Sequence, residues 1–252
     1  MRIIHISDIH LTRDGSSIWG EDTQQKFVKA IDLIKEIQNI DAILVSGDIS
    51  NDGSLTSYEF ADNMFSQTGI PTYWCLGNHD NLELLRTPNL LKYCKLVRNV
   101  EVCGWNIILL NSVAKDEELP GKNRSRGILN TETITELKSM IIRLEKPTMV
   151  VLHHPALEIG GWQDKKILKD REAFRHILES SPNIQIVLSG HVHEFSDKTL
   201  NRIRYSTAAG LGFAFSGKIP NYELVTGEEG FCEIIIKDND ICINNILLSS
   251  NK

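Results

Sequence analysis

Five short polar clusters carry most of the side chains in this sequence that bind metals or move protons. They are Asp8-Ile9-His10, Gly47-Asp48, Gly77-Asn78-His79-Asp80, His153-His154-Pro155 and Gly190-His191-Val192-His193. Six of the eight histidines (10, 79, 153, 154, 191 and 193) fall inside them. Carboxylate and amide oxygens with imidazole nitrogens, and no thiolate, are the donors of a hard-to-borderline metal ion. Asp8, His10, Asp48, Asn78, His153, His191 and His193 make seven such donors. That is too many for one catalytic ion with open positions and suits two ions sharing a carboxylate, set roughly 3.5–4 Å apart. Asp48 is the natural bridge, because the glycine before it lets the backbone turn tightly. The i, i+2 spacing in D-x-H and H-x-H directs both side chains the same way from an extended segment.

Each cluster follows its own apolar run. The runs are "RIIHI" (2–6), "AILVS" (42–46), "TYWCL" (72–76), "TMVVL" (148–152) and "IQIVLS" (184–189), with "NIILLN" (106–111) as a sixth candidate strand. A single strand-end Asp or Gly-Asp pair is ordinarily a turn former. Five in register with five strands are not, since independent turn formers do not select histidine so consistently. In an α/β sheet the carboxyl ends of the strands form the crevice where ligands bind. His5, inside the first run, and His176, on "REAFRHILES", stand outside this pattern and read as a core and a surface residue.

Helices separate the runs, which predicts α/β architecture. Phe27, Ala30, Ile31, Ile34 and Ile37 make one apolar stripe, and Ile134, Leu137, Ile141 and Leu144 another. Thr56 and Glu59 have capping-box spacing. After about position 200 the pattern turns to strands, with "GFCEIIIKDNDICINNILL" reading as a hairpin closed at 238–240. Mixed sheets are therefore expected, with no linker dividing residues 1–252, and a single domain.

Composition narrows the class. The 252 residues are 41% hydrophobic and 24% charged, ordinary for a globular protein. A net charge of -6 argues against a DNA-coating surface. Five scattered cysteines without a C-x-x-C read as reduced thiols. The first apolar run is too short for a signal peptide and is broken by Asp8. The expectation is a soluble cytoplasmic protein with no membrane span.

D-x-H, G-D, G-N-H-D, H-H-P and G-H-x-H, in this order, resemble the calcineurin-like metallophosphoesterase superfamily. The "GDISNDG" and "LHHP" forms resemble its class III cyclic-nucleotide phosphodiesterase branch. The resemblance runs from Asp8 to His193 and the strands beyond. It implies a four-layer α-β-β-α sandwich with two mixed β-sheets and a dinuclear site between loops at the sheet edge. It also implies that Asp8, His10 and His193 hold one ion, that Asn78, His153 and His191 hold the other, and that Asp48 bridges. His79 matches the non-ligand histidine beside the substrate phosphate, and His154 would shape the pocket.

The implied enzyme is a metal-dependent phosphoric ester hydrolase for a small phosphodiester or phosphomonoester, a 3',5'-cyclic nucleotide among the candidates. Metal-activated hydroxide would attack, and His79 would assist the leaving group. Asp80 is expected either to orient His79 or to cap the helix in "NLELL". An inert metal-binding scaffold and a nuclease-type phosphodiesterase are the alternatives. The first is disfavoured because every ligand position and His79 are intact, the second because no chain remains for an added DNA-binding domain. Two divalent or trivalent transition-metal ions are implied, with Mn, Fe and Zn all compatible. Trp19, Trp162, Phe213 and Phe215 either stack on a base or cap loops. Arg124 and Arg126 either meet phosphate or stay solvated. Members of such families often form dimers, which leaves a homodimer open.

Overall fold

The computed structural model describes residues 1–113, 125–219, 222–238 and 240–249. The apolar runs form two six-stranded sheets. The first holds β1 (Arg2–Ile6), β2 (Ala42–Val45), β3 (Thr72–Trp74), β4 (Lys95–Leu96), β11 (Gly230–Lys237) and β12 (Asp240–Leu247), ordered β12-β11-β1-β2-β3-β4. The second holds β5 (Asn99–Val102), β6 (Trp105–Leu109), β7 (Thr148–Val151), β8 (Ile184–Ser189), β9 (Ser196–Leu200) and β10 (Ile203–Thr207), ordered β5-β6-β7-β8-β10-β9. In each sheet four neighbouring strands are parallel and the flanking ones antiparallel. Both sheets are mixed, as expected.

The two-residue period of the strands makes the layers. On β2, Ile43 and Val45 face α1 (Thr23–Glu36) and α2 (Leu55–Ser66), where Phe27, Ile31, Ile34, Tyr58 and Phe65 receive them. Ala42 and Leu44 point the other way, into a second core shared with Met149 and Val151 of β7. Val150 and Leu152 then face outward to α4 (Thr131–Ile141) and α5 (Arg171–Glu179), meeting Leu137, Ile141, Phe174 and Leu178. Three cores thus separate four layers, α-β-β-α. Strands buried on both faces must be apolar at every position, which is why they read as continuous runs. At about 1.5–3 kcal/mol per fully buried large side chain, these cores fix the two sheets against each other. The crevice between their strand ends is fixed with them.

Local differences from the sequence reading have simple causes. The helix expected from Thr56 and Glu59 begins at Leu55 and is capped by Ser54, whose side chain accepts from Ser57 N. The short α3 (Leu82–Leu85) is capped by Asn81, not by Asp80. The C-terminal hairpin pairs Lys237 with Asp240, and Asp238 takes φ 53°, the left-handed conformation a tight hairpin turn demands. Asn239 lies outside the described residues. Strand β9, "SDKTL", gave no apolar signal because it is a polar edge strand. Among the described residues no helix is long and apolar enough to cross a membrane.

Candidate metal centre

All five clusters sit at the carboxyl ends of parallel strands. β1, β2 and β3 of the first sheet deliver Asp8 and His10, Asp48, and Asn78 and His79, while β7 and β8 of the second deliver His153, His191 and His193. Past their ends, β1 and β2 stay tied, with Asp8 N donating to Gly47 O at 3.1 Å and His10 N to Asp48 O at 3.0 Å. The carboxylates tie in the other loops. His79 N donates to Asp48 Oδ1 and His191 N to Asp8 Oδ2, each at 2.8 Å.

The backbone here is bent out of its ordinary range. Asp8, His10, Asp48, His191 and His193 have φ between 52° and 71°, so five of the seven candidate ligands are left-handed. For residues other than glycine that costs roughly 1–3 kcal/mol each and persists only where surrounding contacts over-determine it. Gly47, at φ 100°, gives the tight turn before Asp48. Gly77 serves a different purpose: a Cβ there would overlap the Asp48 carboxylate.

Each imidazole is oriented from behind. His153 Nδ1 faces Ser46 O at 2.8 Å, His193 Nδ1 faces Phe213 O at 2.8 Å, and His191 Nε2 faces Ser125 O at 2.7 Å. A carbonyl only accepts, so the nitrogen facing it carries the hydrogen and the other nitrogen turns a lone pair to the centre. This is how metal-binding histidines are commonly held. His10 Nδ1 is held likewise by Asn51 Oδ1 at 3.2 Å.

The centre crowds ring nitrogens and carboxylate oxygens together. His10 Nε2 and His193 Nε2 stand 3.2 Å apart, lone pair to lone pair. Asp8 Oδ1 lies 3.3 Å from His193 Nε2 and 3.8 Å from His10 Nε2, and has no hydrogen-bond partner. Asp48 Oδ2 spans the site, 3.7 Å from His10 Nε2 and 3.3 Å from His153 Nε2. His153 Nε2 also meets Asn78 Oδ1 and His191 Nδ1, both at 3.1 Å.

The titration behaviour has the same sense. Burial would raise Asp8 and Asp48, yet the His193 and His153 imidazoles hold both carboxyls well below the usual range. Burial pushes His10 and His191 down to about 3. For His153 burial also acts downward, but the Asp48 carboxylate overcomes it and raises the ring to about 9. A proton on His153 is thus a cation drawn to one of the places where the donors converge. Donor atoms of Asp8, His10 and His193, of Asp8, Asp48 and His153, of His153, His154 and His191, and of His10, Asp48 and His79 each lie within 4.8 Å of one another. The donor set fits two metal ions. Two buried carboxylates and an orphaned oxygen call for cations, and the imidazoles are already turned to bind them.

The remaining residues fall into place around it. His79 is exposed, and its Nδ1 faces Asn51 O at 3.0 Å. Asp80 does not reach that imidazole. Its carboxylate accepts from Gly77 N at 2.9 Å, Ser50 N at 3.1 Å and Tyr58 Oη at 3.2 Å, pinning the loop after β3 to the loop after β2. Burial, and then the nearby Asp48 charge, raise Asp80 to about 6. His154 lies behind His191, ring centroids 4.4 Å apart, with Nδ1 on Ser112 Oγ at 2.8 Å and Nε2 unpartnered. His5 is buried against Ser46 Oγ and His176 is exposed.

A cleft of about 330 Å³ opens above the centre, lined by His10, Asp48, Asn78, His79, His191 and His193 and by Trp19, Trp162, Phe213 and Phe215. Asn51, Lys166 and Tyr222 also line it and were not singled out from sequence. Phe213 stacks on His193 and His10, with centroids at 4.5 and 4.9 Å, and so backs two candidate ligands. Arg126 is not among the lining residues, and Arg124 lies outside the described ones.

The chain is similar to proteins of known family. The calcineurin-like phosphoesterase family model matches residues 1–195. A 3',5'-cyclic-nucleotide phosphodiesterase of Nostoc sp. is 28% identical over 233 residues, covering 91% of this chain and 85% of that one. A 3',5'-cyclic adenosine monophosphate phosphodiesterase of Pseudomonas aeruginosa is 30% identical over 210 residues, covering 80% of this chain and 73% of that one. Among solved structures, a dimetal phosphatase from Danio rerio superposes with a TM-score of 0.71 at 12% identity, covering 97% of this chain and 95% of that one. That last likeness concerns the fold.

Proposed function

The chain belongs to the calcineurin-like phosphoesterase family, and on that premise we propose that it hydrolyses a small phosphodiester, a 3',5'-cyclic nucleotide first among the candidates, at a dinuclear metal centre. One observation carries the reading: Asp48 Oδ2 stands between His10 Nε2 and His153 Nε2, joining two groups of buried donors. Asp8, His10 and His193 would hold one ion; Asn78, His153 and His191 would hold the other; Asp48 would serve both. Ions there supply positive charge that draws in the phosphate and acidifies water. We take manganese as the first metal to test, with iron and zinc as the others the donor set accepts.

The chain's own residues do the rest. Asp48 Oδ1 fixes the His79 backbone and Asn51 O faces Nδ1, so the ring lines the cleft in a fixed position. In the proposed step His79 would keep Nδ1–H on Asn51 O and give a proton from Nε2 to the leaving oxygen, an effect commonly worth ~10²–10⁴-fold in rate. Asp80 works at one remove, by holding the Gly77 to Asn81 turn that carries Asn78 and His79. His154, behind His191, packs the second group of donors. The similarity to two cyclic-nucleotide phosphodiesterases supports the diester substrate. Residues 1–252 would act as one catalytic domain, since β1 near the start pairs with β11 near the end. Cytoplasmic location and a homodimer complete the proposal, tested by fractionation and by sedimentation.

The deciding experiment is elemental analysis after reconstitution, with hydrolysis of cyclic AMP, bis-p-nitrophenyl phosphate and p-nitrophenyl phosphate. Two metals per chain with faster diester than monoester turnover is the expected result. Fewer than two metals, with no ester hydrolysed, would sink the reading.

A further inference from the structure

The cleft has a wall that the proposed chemistry leaves unused. Phe215 stands 5.2 Å from the His193 ring, and Trp19, Trp162 and Tyr222 surround it with centroids at 5.5, 5.7 and 5.9 Å. All four rings line the same cavity as the candidate ligands. Phe215 is buried and Trp162 half-buried, but core packing does not account for the other two. Trp19 is 59% exposed and Tyr222 53%, two of the four large hydrophobic side chains exposed among the described residues. Large rings left open to water around a concave site mark a place where something binds. Trp162 is fixed by an Nε1–H bond to Ser216 O at 3.3 Å, so the wall is formed in advance.

An aromatic cup beside a phosphate site suits two ligand chemistries. One is a quaternary ammonium held by cation–π attraction, and the other a flat heteroaromatic ring held by stacking. Lys166 decides between them. Its Nζ lies 4.2 Å from the Tyr222 centroid and 5.8 Å from that of Trp162. These faces already hold a cation, and a second would meet like charge. Beside a stacked base the same ammonium is a hydrogen-bond donor to ring nitrogens and carbonyl oxygens.

We propose that Trp19, Trp162, Phe215 and Tyr222, with Lys166, form the pocket for the base of a nucleotide whose phosphate lies at the metal centre. The proposal rests on the phosphodiesterase reading and narrows it from small diesters to nucleotides. Phe213, packed on His193 and His10, stays outside the pocket and supports the floor.

The test is calorimetric titration of the manganese-loaded protein with AMP, ribose 5-phosphate and phosphocholine. AMP should bind about tenfold more tightly than ribose 5-phosphate, within the range of base–aromatic stacking. Tyr222→Ala removes a largely exposed side chain and should abolish most of that preference without changing ribose 5-phosphate affinity. Tyr222→Phe should retain the preference, and Trp162→Ala, checked by thermal melting, should behave as Tyr222→Ala does. Equal affinity for AMP and ribose 5-phosphate, tightest binding of phosphocholine, or equal losses for both sugar phosphates in Tyr222→Ala would each overturn the proposal. The two readings fail separately. A protein that hydrolyses bis-p-nitrophenyl phosphate without preferring AMP loses only the base pocket. One that prefers AMP but hydrolyses nothing keeps the pocket and loses the hydrolase.

Discussion

At and beneath the floor of the cleft Asp48 and Asp8 are buried and each accepts a backbone N–H from a neighbouring loop, whereas on the rim Trp19 and Tyr222 are more than half exposed and meet their neighbours ring to ring. The floor also holds five left-handed residues under tension, while the rim rests on loops and on the 3₁₀ turn Trp162–Lys166. Pre-organised charge requires the first arrangement, because an unpaired buried carboxylate is tolerable only where a cation will sit. Shape recognition tolerates the second, because stacking asks for flat surface and little angular precision. On the proposed reading the floor would serve any phosphate ester and the rim would choose among them.

Substitutions should separate the two regions. The largest effect is expected for Asp48→Ala, which removes the carboxylate common to both groups of donors. Activity toward every ester should fall to background, with less than two equivalents of metal by elemental analysis, and two retained metals would break the comparison at its base. Next comes His79→Ala, which should keep both metals and lose about 10²–10⁴-fold in turnover for all substrates. Metal loss in that variant would move His79 from the substrate side to the ligands.

Asn51→Ala takes the Oδ1 acceptor from His10 Nδ1 and should weaken metal binding by about 10–100-fold, as loss of a histidine's outer partner commonly does. Competition with a chelator measures it, and unchanged affinity would show that the ring is held by packing alone. The smallest effect belongs to Trp19→Ala. It should leave metal content intact and stability within about 0.5 kcal/mol, the usual range for surface positions. Its signature is a change in the ratio of cyclic AMP to bis-p-nitrophenyl phosphate turnover. A uniform loss for both substrates would place Trp19 with the floor.

Some of this was legible residue by residue. The strands carrying Asp8, Asp48, Asn78, His153 and His191 are buried on both faces, so their unbroken apolar runs mark their ends to within two residues. Asn51 was not legible as the partner of His10 and His79, because a turn Asn after Gly-Asp is common and its neighbours come from elsewhere in the chain. Asp80 was misjudged for the same reason. Its position in sequence left two roles open, orienting His79 or capping the next helix, but its bonds run across the loop to Ser50 and Tyr58. Tyr222 lay in a stretch without periodicity, and only the fold brings it to Trp162, with centroids 4.5 Å apart.

The sequence by itself determined the donor types, their order, and their attachment to strand ends, because hydrophobic periodicity and residue chemistry are local properties. Tertiary structure alone decided which nitrogen of each histidine turns inward, which carbonyl holds the other, and that four rings from three loops make one cup. Those outcomes depend on the packing of two sheets across a shared core, which brings together residues far apart in the chain, such as His10 and His193, 183 positions apart.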